Sequence, residues 1–269
     1  LAATQSVLTR RSLLNRMSAD LNKTIQGLWI GPELSLMEQL SISSFLQNGH
    51  DYHLYVYDEV KNVPAGTVIR NANEILPSAR IFQYKHRPSY AGFSNFFRYK
   101  LLLERGGWWA DVDTVCLKAF DFPEEYVLSS EINHRGDEVV ASAIIKVPPG
   151  SSIMSYAWKV CENKNPNRLV WGETGPRLLA KAVRKFSLKG YEKGSRVFCP
   201  VDYEDWQTVL EADVEIPLDD RTFAIHLWNE MWRLAGQDKN AQYDEHCLYE
   251  KLKRTYLPAA GAVPSFPKL

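Results

Sequence analysis

The feature that most constrains the fold is a strand–helix–strand spacing near the start of the chain. Ile25-Gln26-Gly27-Leu28-Trp29-Ile30 is a short apolar run closed by Gly31-Pro32. Leu34 to Gln47 has the pattern of a helix, stopped by Asn48-Gly49, and Tyr52-His53-Leu54-Tyr55-Val56-Tyr57 is aromatic and β-branched. Strand, helix and strand within about 30 residues make the βαβ unit of a parallel sheet. The alternation continues with a short element from Asn73 to Pro77, a strand from Arg80 to Tyr84 and a strong helix from Ser94 to Arg105. Further strands are expected at 126–131, 138–147, 196–199 and 222–228, and helices at 151–163, 175–186 and 243–255. The expected class is therefore α/β, a Rossmann-like mixed sheet flanked by helices. With no repeat or linker, residues 25–269 read as one domain. Ahead of them, residues 1–24 place Leu8, Leu13, Leu14, Met17 and Leu21 at near-helical spacing, an N-terminal helical extension. Its basic face is short, which favours packing on the body over lying on a membrane.

Composition narrows the function. Lys plus Arg number 32 and Asp plus Glu 32, with no long run of like charge, so a nucleic-acid backbone is not an expected partner. The four cysteines, Cys116, Cys161, Cys199 and Cys247, are far apart and lack zinc-site spacing; they read as buried thiols in a reducing compartment. No apolar run reaches the roughly 20 residues that span a bilayer, and the first residues lack the order of a signal peptide. The expected setting is cytoplasmic, with peripheral contact at the cytoplasmic membrane face allowed, or the Golgi lumen if an N-terminal anchor has been trimmed. The sequence leaves the oligomeric state open.

The chemistry points to RYKLLLERGGWWADVDT, residues 98–114. Ser94 is placed to cap the helix, and Phe97 and Leu101 give it a core-facing stripe. Gly106 suits the left-handed residue that stops the helix, and Gly107 a tight turn into an extended segment. In an extended segment residues i and i+2 share a face, so Asp111 and Asp113 are expected to point the same way. Two adjacent carboxylates repel unless a cation sits between them. Mg²⁺ or Mn²⁺ prefers oxygen ligands and keeps positions open for substrate phosphates, so the pair reads as half of a metal site completed by a diphosphate. A bare Asp-x-Asp is usually a solvated turn; the glycine pair, the aromatic flank and the preceding helix set this one apart.

Over SNFFRYKLLLERGGWWADVDT the chain resembles the DxD glycosyltransferases of family 32 and their α-1,4-galactosyl- and N-acetylglucosaminyltransferase relatives. LWIG at 28–31, TGP at 174–176 and HLWN at 226–229 are weaker echoes of the same family. The resemblance implies a GT-A fold and retaining, Mn²⁺- or Mg²⁺-dependent transfer of a hexosyl group. The donor would be a nucleotide-sugar, UDP-linked in preference to GDP-linked, and the acceptor a glycan, glycolipid or protein hydroxyl, as in polysaccharide biosynthesis. It implies that Asp113 ligates the metal directly, that Asp111 contacts the donor or the metal through water, and that His226 and Asn229 complete the metal and diphosphate site, with Trp228 between them. Arg98, beside Tyr99, would orient Asp111 or a donor hydroxyl. Thr174 and Gly175 would present N–H groups at a helix start, and Trp29 would lie near the base. Glu173 is the carboxylate to examine as an acceptor-orienting catalytic group.

Two departures bear on specificity. Ser94-Asn95 stands where the family has Ser-Asp, so Asn95 would bring an amide to the donor where relatives bring a charge. Ser142-Ala143-Ile144-Ile145 is the nearest match to a family Asn-Ala segment facing the donor sugar. Three other readings compete. DVDTV fits the DxDx[TV] pattern of haloacid-dehalogenase phosphohydrolases, whose later acidic pair has only Asp219-Asp220 as a candidate. The other two are a toxin-like protein glycosyltransferase and a non-catalytic sugar-binding module.

Overall fold

The computed structural model describes residues 23–257, so the expected N-terminal helical extension lies almost wholly outside the described residues. The central sheet has six strands in the order β3-β2-β1-β4-β7-β6: β1 (Thr24–Trp29), β2 (Asp51–Val56), β3 (Val68–Asn71), β4 (Gly107–Ala110), β6 (Val127–Ile132) and β7 (Glu138–Val147). β1 pairs in parallel with β2 and β4, and β2 with β3, while β7 runs antiparallel to both β4 and β6. A second sheet of two antiparallel strands, β5 (Thr114–Cys116) and β8 (Ala224–His226), stands beside it. This is the mixed α/β architecture the resemblance implied.

The first crossover is α1 (Leu36–Gln47), whose start carries a capping box: Ser35 accepts from the backbone and Glu38 reaches back to the Ser35 N–H. The long helix α2 (Ala91–Arg105) packs against α3 (Ser152–Glu162), which packs against α4 (Pro176–Lys185). The paired tryptophans show how the sheet organises two cores. Successive residues of a strand point to opposite faces. Trp109 accordingly joins Phe93, Phe97, Leu101 and Trp158 on the α2–α3 face, and Trp108 joins Phe45, Phe120 and Phe198 on the other. Both indoles are buried. A third cluster, with Met37, Val115, Ile225, Trp232 and Tyr249, glues the small sheet to α1.

Several expected elements are corrected. Arg80–Tyr84 is not a strand: a single 3₁₀ turn at Ser78–Arg80 follows Pro77, and the edge position beside β2 belongs to β3. All four β3 residues are exposed, so this edge strand carries no buried pattern to read. Residues 196–199 form the short helix α5 (Ser195–Phe198) despite the Val and Phe, with the Glu138 carboxylate accepting the Ser195 N–H at its start. The strand expected at 222–228 ends at His226, and α6 (Asn229–Ala235) follows directly. The last helix, α7 (Leu248–Tyr256), starts later than expected because Cys247 takes the N-cap position, its sulfur accepting from Glu250 N–H. All four cysteines are buried free thiols. No helix among the described residues is long and apolar enough to cross a membrane.

Candidate active site

The turn between the two sheets carries the two aspartates. α2 ends at Gly106, at φ +63°, where a Cβ would lie 2.4 Å from the Pro149 nitrogen, so only glycine fits both the backbone and the space. Gly107 at φ +79° then starts β4. The sequence placed Ser94 at the helix N-cap; the helix instead begins at Ala91, whose N–H is accepted by Ser89 Oγ, and Ser94 lies within it. Nor is the Asp-x-Asp segment extended. β4 ends at Ala110, and the chain turns through Asp111 to Thr114, closed by Thr114 N–H to the Asp111 carbonyl at 3.0 Å. A turn, not strand alternation, brings the carboxylates together.

Each carboxylate has its own support. Asp111 is held from the main sheet and α2: Arg98 reaches its Oδ1 at 2.9 Å, Trp109 Nε1 donates to it at 3.0 Å, and its backbone N–H meets the Ala143 carbonyl at 2.9 Å. Arg98 is itself buried; it also donates to the Ser142 carbonyl and to Ser94 Oγ, and its guanidinium lies 4.9 Å from the Trp109 ring centre. Asp113 is held from the small sheet. Thr114 pairs with His226 across β5–β8, and Leu227 N–H meets the Asp113 carbonyl at 2.9 Å. His226 Nε2 thereby comes 3.2 Å from Asp113 Oδ1, and the Asn229 backbone N–H donates to Oδ2 at 2.8 Å. Trp228 adopts φ +57°, sets its ring 4.0 Å from that of His226 at a 49° tilt and donates its Nε1–H to the Val201 carbonyl.

The electrostatics divide the pair. Burial pushes Asp111 up, and the neighbouring Asp113 charge adds to this, against the pull of Arg98; its carboxyl sits above the usual range. Burial also acts on Asp113, but His226 and the Asn229 N–H outweigh it and hold that carboxyl low. Burial alone would keep His226 neutral; Asp113 overcomes this and raises the imidazole well above its ordinary value. Asp111, Asp113 and His226 each offer a ligand atom within 4.8 Å of the others. Two carboxylates from one turn and an imidazole from the end of β8 are a donor set that suits a hard or borderline divalent cation.

The other predicted residues make contacts of their own, apart from those that hold the two aspartates. Tyr99 donates to the Thr174 carbonyl at 2.9 Å, and Asn95, buried on α2, places its amide 3.5 Å from Thr174 Oγ1 and against Gly175, the residue before Pro176 at the start of α4. The same loop turns Glu173 outward, where it pairs with Lys164 and accepts the Val170 N–H. Trp29 ends β1, with its indole near Lys239, at the edge of a cavity of about 620 Å³ that Glu33, Ser35, Asn62 and Asn240 also line. Asp219, the candidate for a phosphohydrolase-type acidic pair, is paired with Arg221 on the surface.

Sequence reasoning missed two features. Arg87 bridges the rim, pairing with Glu230 at 2.7 Å and lying 3.9 Å over the Trp171 ring. Glu131, on β6, has its carboxyl pushed up to about 7 by burial, with Asp111 and His226 both within electrostatic reach. A lone acidic residue ending the buried run Val127–Ser130 is the signal that could have found it.

Comparisons with known proteins agree with this geometry. Residues 35–132 match the glycosyltransferase sugar-binding region containing the DXD motif, and residues 160–262 match the alpha 1,4-glycosyltransferase conserved region. Human alpha-1,4-N-acetylglucosaminyltransferase is 23% identical over 181 residues, 61% of this chain and 49% of the relative. The lactosylceramide 4-alpha-galactosyltransferase of Pongo pygmaeus is 22% identical over 179 residues, 61% of this chain and 78% of the relative. The chain thus spans about half the length of the first of these and more of the second. The solved PaToxG glycosyltransferase aligns over 68% of this chain and 80% of its own at 16% identity, with a TM-score of 0.43. The two matched regions follow one another in order and take in the Asp-x-Asp turn and the His226–Asn229 segment that closes on it, and over them the chain is similar to the DXD-containing glycosyltransferases.

Proposed function

We propose that the protein moves a hexose from a nucleoside-diphosphate sugar to a hydroxyl acceptor. The observation that carries this reading is the convergence of Asp111, Asp113 and His226, whose ligand atoms come within 4.8 Å although His226 follows more than a hundred residues later. Asp113 and His226 would hold a divalent ion, with Asp111 beside them and Asn229 at the mouth. A bound Mg²⁺ or Mn²⁺ supplies positive charge for the departing diphosphate.

The chain's own residues divide the remaining work. Arg98 fixes Asp111, while the Asn229 N–H and His226 fix the Asp113 carboxylate, so the groups that would hold a cation against the diphosphate are set before the donor arrives. The resemblance favours retention of anomeric configuration, with the acceptor hydroxyl attacking on the leaving-group face and no enzymic nucleophile. A UDP-linked donor and a glycan or glycolipid acceptor are the substrates we favour, since the relatives' names specify an N-acetylglucosaminyl transfer and a galactosyl transfer to lactosylceramide.

The test is release of nucleoside diphosphate from a panel of UDP- and GDP-sugars, with Mn²⁺ or with EDTA. Release of UDP from one sugar, abolished by EDTA and accelerated by a lactoside acceptor, is expected. Phosphate release independent of any sugar acceptor would instead favour a phosphohydrolase, and donor binding without turnover a sugar-binding module.

A further inference from the structure

β6 ends with Glu131 and Ile132, and no hydrogen bond among the described residues joins it to the Asp-x-Asp turn. Its pairing with β7 is in register at Leu128↔Ile145 but resumes at Ser130↔Val140, so β7 carries extra residues between these points. Those extra residues do two things. Their carbonyls at Ser142 and Ala143 face Arg98 and the Asp111 N–H, and the irregularity shifts the end of β6 along the sheet. Behind β6, α5 packs on the strand and leads into Cys199, whose thiol neighbours His226. The Glu131 carboxylate thereby has Asp111, His226, Cys199 and Tyr203 for electrostatic neighbours.

No hydrogen bond or ion pair within the described residues holds this carboxylate, in contrast to its neighbours: Asp111 has Arg98 and Trp109, and Asp113 has His226 and Asn229. Glu131 is only partly buried and its oxygens stay open to solvent, so the carboxylate is free to accept a hydrogen bond from a ligand. Glu131 stands outside the three-residue group that suits a cation, and a carboxylate repels a diphosphate. What it can accept from is a neutral hydroxyl, and Tyr203, whose ring lies 6.1 Å from that of Trp228, offers an aromatic surface within electrostatic reach of it.

We propose that Glu131, flanked by Tyr203, binds a hydroxyl of one of the two reacting sugars, and so serves as a specificity-determining residue that Glu173, turned out to Lys164, is not placed to be. This rests on the glycosyltransferase reading of the same site. The hydroxyl belongs either to the hexose being transferred or to the acceptor, and the two are separable by experiment.

Glu131→Ala and the isosteric Glu131→Gln are made in the full chain, the second guarding against a folding defect because it removes a partly buried charge without changing shape. Three quantities are read: UDP binding with Mn²⁺ by calorimetry, UDP release from UDP-galactose and UDP-N-acetylglucosamine without acceptor, and transfer to lactose. UDP binding is expected to match wild type. Transfer efficiency is expected to fall about tenfold to a hundredfold in Glu131→Ala, as for a lost hydrogen bond to a charged group, and less in Glu131→Gln, which still accepts. If release without acceptor falls in step with transfer, the hydroxyl is on the donor sugar. If release is unchanged while the KM for lactose rises, it is on the acceptor. Transfer within twofold of wild type in both variants, or loss of UDP binding in step with activity, overturns the proposal. A wild-type protein that releases UDP from no donor overturns the reading of the site together with it.

Discussion

The two aspartates stand two residues apart, yet they belong to different parts of the molecule. Asp111 is built from nearby sequence: Ser94, Arg98 and Trp109 lie on the helix–turn–strand that leads into it, and its partners are a buried guanidinium and an indole N–H. Asp113 is built across the fold, from His226 and Asn229 on a strand and helix more than a hundred residues later. The first arrangement spends a permanent cation on its carboxylate. The second places an imidazolium there, which can lose its proton to water and so free a nitrogen that would ligate a metal. The contrast teaches that the Asp111 flank is chiefly an anchor and the Asp113 flank the place where an exchangeable charge can be accepted.

The largest expected effect follows from removing the exchangeable side. Asp113→Ala should lower sugar transfer by about a thousandfold or more while far-UV circular dichroism stays native, because the metal and diphosphate charge would go unmatched. Transfer that survives in the presence of chelator would erase the distinction between the flanks. Replacing the anchor should instead strike stability: Arg98→Met leaves Asp111 half-buried without its partner, at a cost of about 3–5 kcal/mol in urea unfolding. A variant as stable as wild type would show that Arg98 serves the substrate alone.

A third effect distinguishes Glu131 from both. Its folded value is about 7 against an ordinary 4.5, so the carboxyl contributes stability fully below about pH 4.5 and loses it as pH rises through 7, because the unfolded chain releases the proton more readily. In metal-free protein the stability of wild type relative to Glu131→Gln should fall by about 3 kcal/mol across that window and stay level above it. Parallel profiles for the two proteins would place Glu131 in ordinary solvent. The smallest effect is expected at Asn229, whose backbone, not side chain, holds Asp113. Asn229→Ala should leave the melting temperature of the metal-free protein unchanged and weaken Mn²⁺-dependent UDP binding about tenfold, roughly one hydrogen bond or ligand contact. A drop in melting temperature without a binding change would assign the residue to α6 alone.

How much of this was legible follows the same divide. The alternation from β1 to β2 and the glycine stop at 106–107 are local, and local chemistry reads them from sequence, while the Arg98–Asp111 contact came with the family resemblance. The turn conformation at Asp111–Thr114 escaped, because DVDT carries strand-like valine while the backbone is committed to crossing between two sheets. β3 escaped because an exposed edge strand has no buried face to pattern, and α5 because Val197 and Phe198 suit either state. The pairing of Thr114 with His226 depends on the long-range register of β5 and β8, which no spacing within the chain encodes. Only the family resemblance placed HLWN beside the aspartates. Glu131 was passed over for a related reason: an acidic residue at the end of a buried run flags itself, but which part of the fold that strand end reaches depends on the β6–β7 register.

The central claim is that Asp113 and His226 form a site that accepts a divalent cation together with a nucleoside diphosphate. The most direct measurement is calorimetric titration of Mn²⁺ into wild-type and Asp113→Asn protein, each with saturating UDP. The account predicts stoichiometric Mn²⁺ binding by wild type that weakens as pH falls, since the metal must displace the His226 proton, and at least a tenfold loss of affinity in Asp113→Asn. Equal affinity in the two proteins, or no Mn²⁺ binding by wild type with UDP present, would contradict it.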